Sequence, residues 1–347
     1  MSEFACPSPG RDASAAITLA HGEGGRLTRQ LVKRRVLSKL TSRHLSPLGD
    51  AAILPPLNGD PVFTTDGFVV SPLFFPGGDI GRLAVFGSTN DLAVSGARPR
   101  WISLALIIEE GLAWDTLDRV LESVRQAAEE VGVEVVTGDT KVVPRGAADL
   151  LFVTTTGLGE KLAPPLVGPS HLSVGDVLLV TGPIGRHGMA VLAAREPLAI
   201  EPSPSSDCAS LWPAVESLWA RRVIPRALRD ATRGGVAAVL HEWAEACGHA
   251  LIVDESAILI TPEVRGLSEL LGIDPLHVAN EGTMVVAVAE DQVESALQAL
   301  RAVDVSQHTA VIGRVERRVV SPVMVRRALG RPQPLDEPLG APLPRIC

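Results

Sequence analysis

Two runs of alternating apolar strands and amphipathic helices, parted by the proline-, glycine- and serine-rich stretch 161–175 (KLAPPLVGPSHLSVG), constrain this chain more than any other feature. Each strand or helix buries only one face, so each run must close a core of its own, and 347 residues exceed what one core of ordinary size accommodates. In the first run a glycine-rich turn, HGEGG at 21–25, feeds a helix in which Leu27, Leu31, Val36, Leu37 and Leu40 recur at helical spacing. PLGDAAILP and PVFTTDGFVV then read as short strands, and DIGRLAVFGSTNDLAVSG as a small-residue helix stopped by Gly96 and Pro99. RWISLALII, VEVVTGDTKVV and DLLFVTTTGLG read as strands, and AWDTLDRVLESVRQAAEEVG as an amphipathic helix closed by Gly132. In the second run GDVLLVTG, HALIVDE, TMVVAVA and HTAVIGRV read as strands, with helices predicted at HGMAVLAAR, after RDATRGG, and at EDQVESALQALRAV.

The expectation is an α+β chain of two domains, 17–160 and 170–325, with a disordered tail at 1–16 and a mobile proline-rich arm at 326–347. From Arg331 onward RPQPLDEPLGAPLPRIC has five prolines and no periodicity, which predicts a semi-extended segment that is neither helix nor strand.

Hydrophobic residues at 46% and charged residues at 21% exclude a disordered or fibrous chain. A net charge of −8 with 3% aromatic residues argues against a nucleic-acid partner, which needs a basic face and stacking rings. Apolar runs such as Ile102–Ile108 fall short of the roughly 20 residues that cross a bilayer, so no membrane span is expected. The first residues lack the basic start and apolar stretch of a secretion signal, and four scattered cysteines without a C-x-x-C pair fit a reducing compartment. A cytoplasmic location follows as an expectation. Cys247 lies in a helical apolar pattern and reads as core, whereas Cys6 and Cys208 lie beside proline and serine; these three are expected to be inert. Cys347, the last residue of the sequence, carries its thiol where a chain moves most.

Chemistry-bearing residues form two sets. Asp50, Asp66, Asp91, Asp139 and Asp230 read as aspartates at strand or turn ends. Magnesium carried by a nucleotide takes a few carboxylate oxygens and leaves the rest of its octahedron to phosphate and water. Any one of these aspartates alone reads more readily as a turn cap; five in one chain shift the balance towards metal binding. The second set is glycine-rich backbone, Gly22, Gly24 and Gly25 before the first helix and Arg233-Gly234-Gly235 before a later one. There amides can point at an anion unobstructed by side chains, although neither stretch is a Walker loop or G-x-G-x-x-G. Lys141 can place a cation beside a bound metal complex or stand solvated, and Glu281 is a carboxylate before a buried strand.

Taken in order, LAHGEGG, TTDG, NDLAVSGARP, GDTKVV, RDATRGGVA, NEGTM and the closing PRIC resemble, over about residues 17–347, the superfamily of aminoimidazole ribonucleotide synthetases, selenophosphate synthetases and thiamine monophosphate kinases. Within it they look like the carbamoyl dehydratases of nickel–iron hydrogenase maturation. The resemblance implies a two-domain PurM-like fold with a flexible C-terminal tail, ATP and Mg2+ as cofactors, and a homodimer formed through the first domains. It further implies a carbamoyltransferase that loads Cys347 and an iron-carrying scaffold that accepts cyanide. The implied reaction is ATP-dependent dehydration of an S-carboxamide on Cys347 to a thiocyanate, with Glu281 and Lys141 handling protons. His21, Gly24, Gly25, Gly138, Asp139, Thr140, Arg233, Gly234 and Gly235 would hold the nucleotide, and Asp50, Asp66, Asp91 and Asp230 the metal. One departure stands out: many superfamily kinases carry Asp-Asp where this chain has Gly49-Asp50-Ala51. The alternatives left open are another small-molecule kinase or synthetase of the superfamily and a non-catalytic maturation scaffold.

Overall fold

A computed structural model describes residues 16–45, 47–196, 201–318, 320–327 and 330–337. The tail at 1–15 and residues 338–347, Cys347 among them, lie outside the described residues.

The first half opens with α1 (Arg26–Leu31), continued by one π turn over Val32–Val36, and reaches β1 (Pro61–Phe68) through an irregular segment. After the short pair β2 (Phe74–Phe75) and β3 (Gly78–Asp79) come α2 (Ile80–Val94), β4 (Ala97–Glu109), α3 (Trp114–Val131), β5 (Glu134–Val143) and β6 (Leu151–Lys161). The four long strands form one sheet in the order β1-β6-β4-β5, antiparallel except for the β4–β5 pair that α3 bridges. Asp79 starts α2 by accepting from the amides of Gly81 and Arg82, and Gly132 ends α3 in the left-handed region at φ 80°. Apart from Arg82 and Asp91, all of α2 is buried, because this helix is pressed between the first sheet and the second half of the chain. That burial explains its small residues.

The second half contains β7 (Val177–Val180), α4 (Arg186–Arg195), α5 (Trp212–Ala220), β8 (Ala227–Asp230), α6 (Gly235–Cys247), β9 (Ala250–Asp254), α7 (Pro262–Leu271), β10 (Met284–Val288), α8 (Val293–Arg301), β11 (Ala310–Glu316), β12 (Val323–Arg326) and β13 (Pro332–Pro334). Its strands form a sheet in the order β13-β12-β9-β11-β7-β10-β8. β10 and β7 are buried at every residue, as central strands covered on both faces are. One hydrophobic cluster crosses between the halves, joining Leu83, Phe86, Leu104 and Leu121 to Met189, Val264 and Val278.

The α+β architecture agrees with the sequence reading, but individual elements differ. PLGDAAILP is not a strand: no neighbouring strand pairs with it, and Ile53 is 90% exposed. α5 and α7 are additional helices, each carrying proline in its first turn, a start signal that the Pro- and Ser-rich stretch before α5 masked there. The proline arm begins later than expected. Pro332–Pro334 pairs antiparallel with β12, the Leu335 amide donates to Val323 O, and Leu335 is buried at 4% exposure. Proline fits there because Gln333 and Leu335 carry the amides that face β12, while Pro332 and Pro334, of opposite parity, turn their nitrogens to the free edge.

Candidate active site

Alternation along β1 places Thr64, Asp66 and Phe68 on the face that α2 covers. Ser88 and Asp91, three residues apart on α2, meet that face: Ser88 Oγ donates to Asp66 Oδ2 at 3.2 Å, and Thr64 Oγ1 donates to Asp91 Oδ2 at 2.8 Å. From the second half, Asp230 ends β8 opposite Met284 at the start of β10, so the turn 280–283 runs beside it and brings Glu281 to the same place. Four carboxylates from both halves thus face one another across the cleft.

Their electrostatics reflect this crowding. Burial, reinforced by Asp91, pushes Asp230 up to about 7. Glu281 is 5% exposed, and burial followed by the charges of Asp230, Asp207, Asp66 and Asp91 raises it well above the usual carboxylate range. Asp66 is raised by burial and then by Asp91, with Arg233 pulling the other way. Buried like charges of this kind favour a divalent cation.

The turn carrying Glu281 is held entirely through its neighbours. Asn280, fully buried, accepts from Gly185 N at 2.6 Å and donates to Ala231 O and Val278 O. Asp207 accepts from the amides of Glu281 and Gly282, both at 3.1 Å, and from Thr283 Oγ1 at 2.9 Å. Asn90 donates to Glu281 O and Ala209 O and accepts from Leu211 N. Sequence reasoning passed over all three. Asn90 and Asn280 stand inside motifs it quoted, beside the acids it chose, whereas nothing local distinguishes Asp207.

The other expected residues fall into two further places. Gly234 (φ 78°) caps α6, and a Cβ on Gly235 would lie 2.6 Å from the carbonyl oxygens of Leu276 and Val278. Those glycines therefore let the segment leading to Glu281 pack against α6. Of this stretch, Arg233 is the residue that acts on the acidic cluster.

A second constellation lies on β5 and the glycine turn. Gly22 packs so closely on β5 that a Cβ would sit 2.4 Å from Val142 N, and Gly24 (φ 85°) and Gly25 are exposed just before α1. His21 is buried edge-on against Trp114 with its Nδ1 2.9 Å from Thr18 Oγ1. Gly138, Asp139 and Thr140 line a cavity of about 220 Å³ together with Val32, Val36, Gly49 and Ala51. Asp50, between those last two residues, is exposed. Asp139 and Lys141 pair at 3.4 Å, both more than 60% exposed, on the face of the sheet opposite Asp66. Asp66, Asp91, Asp230 and Glu281 therefore converge, whereas Asp50, Asp139 and Lys141 stand apart from them. Asp66 and Asp139 also lie within strands and Asp91 within a helix, rather than at element ends.

The two α+β halves belong to the AIR synthase related class. The N-terminal domain model of that family matches residues 48–160 and its C-terminal domain model residues 173–325. Within the class the chain belongs to the HypE family of carbamoyl dehydratases. It is 45% identical over 338 residues to carbamoyl dehydratase HypE of Escherichia coli K12, covering 95% of this chain and 99% of that one. The crystal structure of E. coli HypE matches with a TM-score of 0.87, covering 92% and 100% of the two chains. A HypE solved in complex with ATP is 41% identical with a TM-score of 0.90, covering 95% and 99%. A chain of a HypE–HypF complex is 38% identical with a TM-score of 0.78, covering 89% and 99%.

Proposed function

We propose that this chain is an ATP-dependent carbamoyl dehydratase of hydrogenase maturation, which turns an S-carboxamide on Cys347 into a thiocyanate. The observation that carries this reading is the convergence of Asp66, Asp91, Asp230 and Glu281 from both halves, in a protein related over nearly its whole length to HypE. An amide oxygen leaves poorly. Transfer of the ATP γ-phosphoryl group to it makes phosphate the leaving group, and loss of the two N–H protons completes the nitrile, giving thiocyanate, ADP, phosphate and a proton. The protein's part is positioning and charge neutralisation.

Magnesium fits here because Asp66, Asp91 and Asp230 are close enough to act on one another, and burial together with the Asp91 charge disfavours ionisation of Asp66 and Asp230. Among the described residues no three side chains complete a metal site alone, which suits an ion that keeps water and phosphate in its shell. The ion would neutralise charge on the transferring phosphoryl group. Glu281, whose proton affinity burial raises above that of an ordinary carboxylate, is the group we assign, in its ionised form, to take the carboxamide proton. Lys141, the other group the resemblance assigns to proton handling, lies on the opposite face of the sheet from Asp66. The same face exposes Phe63 at 70% and Ile107 at 37% beside Thr65, Thr154 and Thr156, a surface we assign to a second copy of the chain laid sheet to sheet.

The arm has sufficient length. Leu335 O accepts from His241 and Asp336 O accepts from His277, which fixes the chain to the second half. His277 is four residues from Glu281, so their Cα atoms lie within about 15 Å, and the imidazole with its hydrogen bond adds roughly 10 Å. The eleven residues 337–347 span up to about 36 Å. Cys347 can thus enter the cleft and also leave it. The relative solved with HypF supports a carbamoyltransferase partner for loading, and an iron-carrying maturation scaffold would accept the cyanide. No helix among the described residues is long and apolar enough to cross a membrane, and we place the protein in the cytoplasm with those partners.

The test is Cys347→Ala with the carbamoyl donor partner and ATP. The variant should fold and bind ATP yet gain no carbamoyl mass; a carbamoyl group still attached to it would overturn the reading.

A further inference from the structure

We propose that Asp207 is the positioning residue for the dehydration step, fixing the backbone of 281–283 so that the Glu281 carboxylate is aimed at the carboxamide. The inference rests on the assignment of Glu281 to the carboxamide proton.

Among the described residues no side chain hydrogen-bonds the Glu281 carboxylate, so its direction is set by its main chain. Asp207 holds that main chain by accepting three hydrogen bonds from the turn. Oδ1 takes the Glu281 amide, and Oδ2 takes the Gly282 amide and the Thr283 hydroxyl. The two segments are more than seventy residues apart in sequence, so the contact is tertiary rather than a local turn. They also approach so closely that a Cβ on Gly282 would lie 1.8 Å from Asp207 O. That explains the glycine in Asn280-Glu281-Gly282 as a seat for the brace.

The brace is itself anchored on both sides of Asp207. Ser206 N donates to Pro76 O and Ser206 Oγ lies 2.9 Å from His187 Nδ1, while Ala209 O and Leu211 N are held by Asn90 on α2. Asn90 also reaches Glu281 O, so one side chain adjoining Asp91 binds the strap and the turn together. Metal-side and proton-side groups are in this way registered to each other across the cleft.

The experiment loads the carbamoyl group on full-length protein with its donor partner, starts a single turnover with magnesium and ATP, and follows loss of one water by intact mass. Nucleotide affinity is measured in parallel by calorimetry. Asp207→Ala should slow dehydration about a hundredfold, the scale of a misplacement near 1 Å, with nucleotide affinity unchanged. Asp207→Asn keeps one acceptor oxygen and should recover part of that rate. Full dehydration rate in either variant overturns the proposal, as does a rate that falls only in step with nucleotide affinity; if the alanine variant does not fold, the asparagine variant decides by the same criteria. Glu281→Gln separates the two claims: an unaffected rate there sinks the proton assignment, whereas a slow Glu281→Gln beside a normal Asp207→Ala sinks only the brace.

Discussion

Magnesium–nucleotide binding should tighten as pH rises from 6 to 8, because the cleft must give up a proton to accept the ion. Asp230 is buried at 5% exposure and lifted from the ordinary aspartate value of 3.8 to about 7, first by burial and then by Asp91. Ionising it in the folded protein therefore costs roughly 4 kcal/mol more than in the unfolded chain. At pH 6 roughly one-tenth of the molecules carry ionised Asp230 and at pH 8 roughly nine-tenths, so affinity should rise about tenfold across that range. Glu281 and Asp66 are raised as well, and the cluster titrates as a set, which makes tenfold a lower figure. The assay is calorimetry of magnesium-saturated ATP at both pH values, each in two buffers of different ionisation enthalpy so that released protons are counted. Asp230→Asn run alongside subtracts the nucleotide's own protonation. Proton release near one per site at pH 6, falling towards pH 8, is expected; pH-independent affinity with no proton released at pH 6 would refute the reasoning. The same shift has a stability consequence of fixed sign. A carboxyl that holds its proton more tightly when folded stabilises the ligand-free protein below pH 4, and that contribution is lost as pH rises through 7.

Two further outcomes follow from the geometry. Asp91→Asn removes a charge that acts on Asp66, Asp230 and Glu281, and should weaken magnesium-dependent ATP binding by tenfold or more, on the order of 1.5–3 kcal/mol for a charged partner; unchanged affinity by calorimetry would take Asp91 out of the site. Phe63→Asp puts a charge on the open face of the first sheet and should convert a dimer into a monomer by light scattering, with a persistent dimer excluding that face as the contact.

The sequence made most strands and the long helices legible because their periodicity is strong: α3 carries Leu117, Val120, Leu121 and Val124 on one buried stripe and ends at a left-handed glycine. It failed where pairing is decided at a distance. Nothing local marks Pro332–Pro334 as a strand, since only the parity of its prolines against β12 makes the pairing possible. Asp66, Asp91, Asp230 and Glu281 were readable as acids in motifs, but their meeting depends on two domains closing around α2. Asp139 reads from the sequence as one more strand-end aspartate and Lys141 as a cation two residues beyond it, and strand alternation places both on the other side of the sheet from Asp66. Asp207 was invisible for a third reason, because its partners lie at 281–283 and its own surroundings are an unremarkable serine-rich loop.

The most direct measurement is one turnover of carbamoyl-loaded protein with magnesium and ATP, with intact mass and phosphate followed together. The account predicts that each loaded chain loses the mass of one water at Cys347 and releases one phosphate at the same rate. Water lost without ATP consumption, or ATP consumed while the carbamoyl mass stays intact, would contradict it.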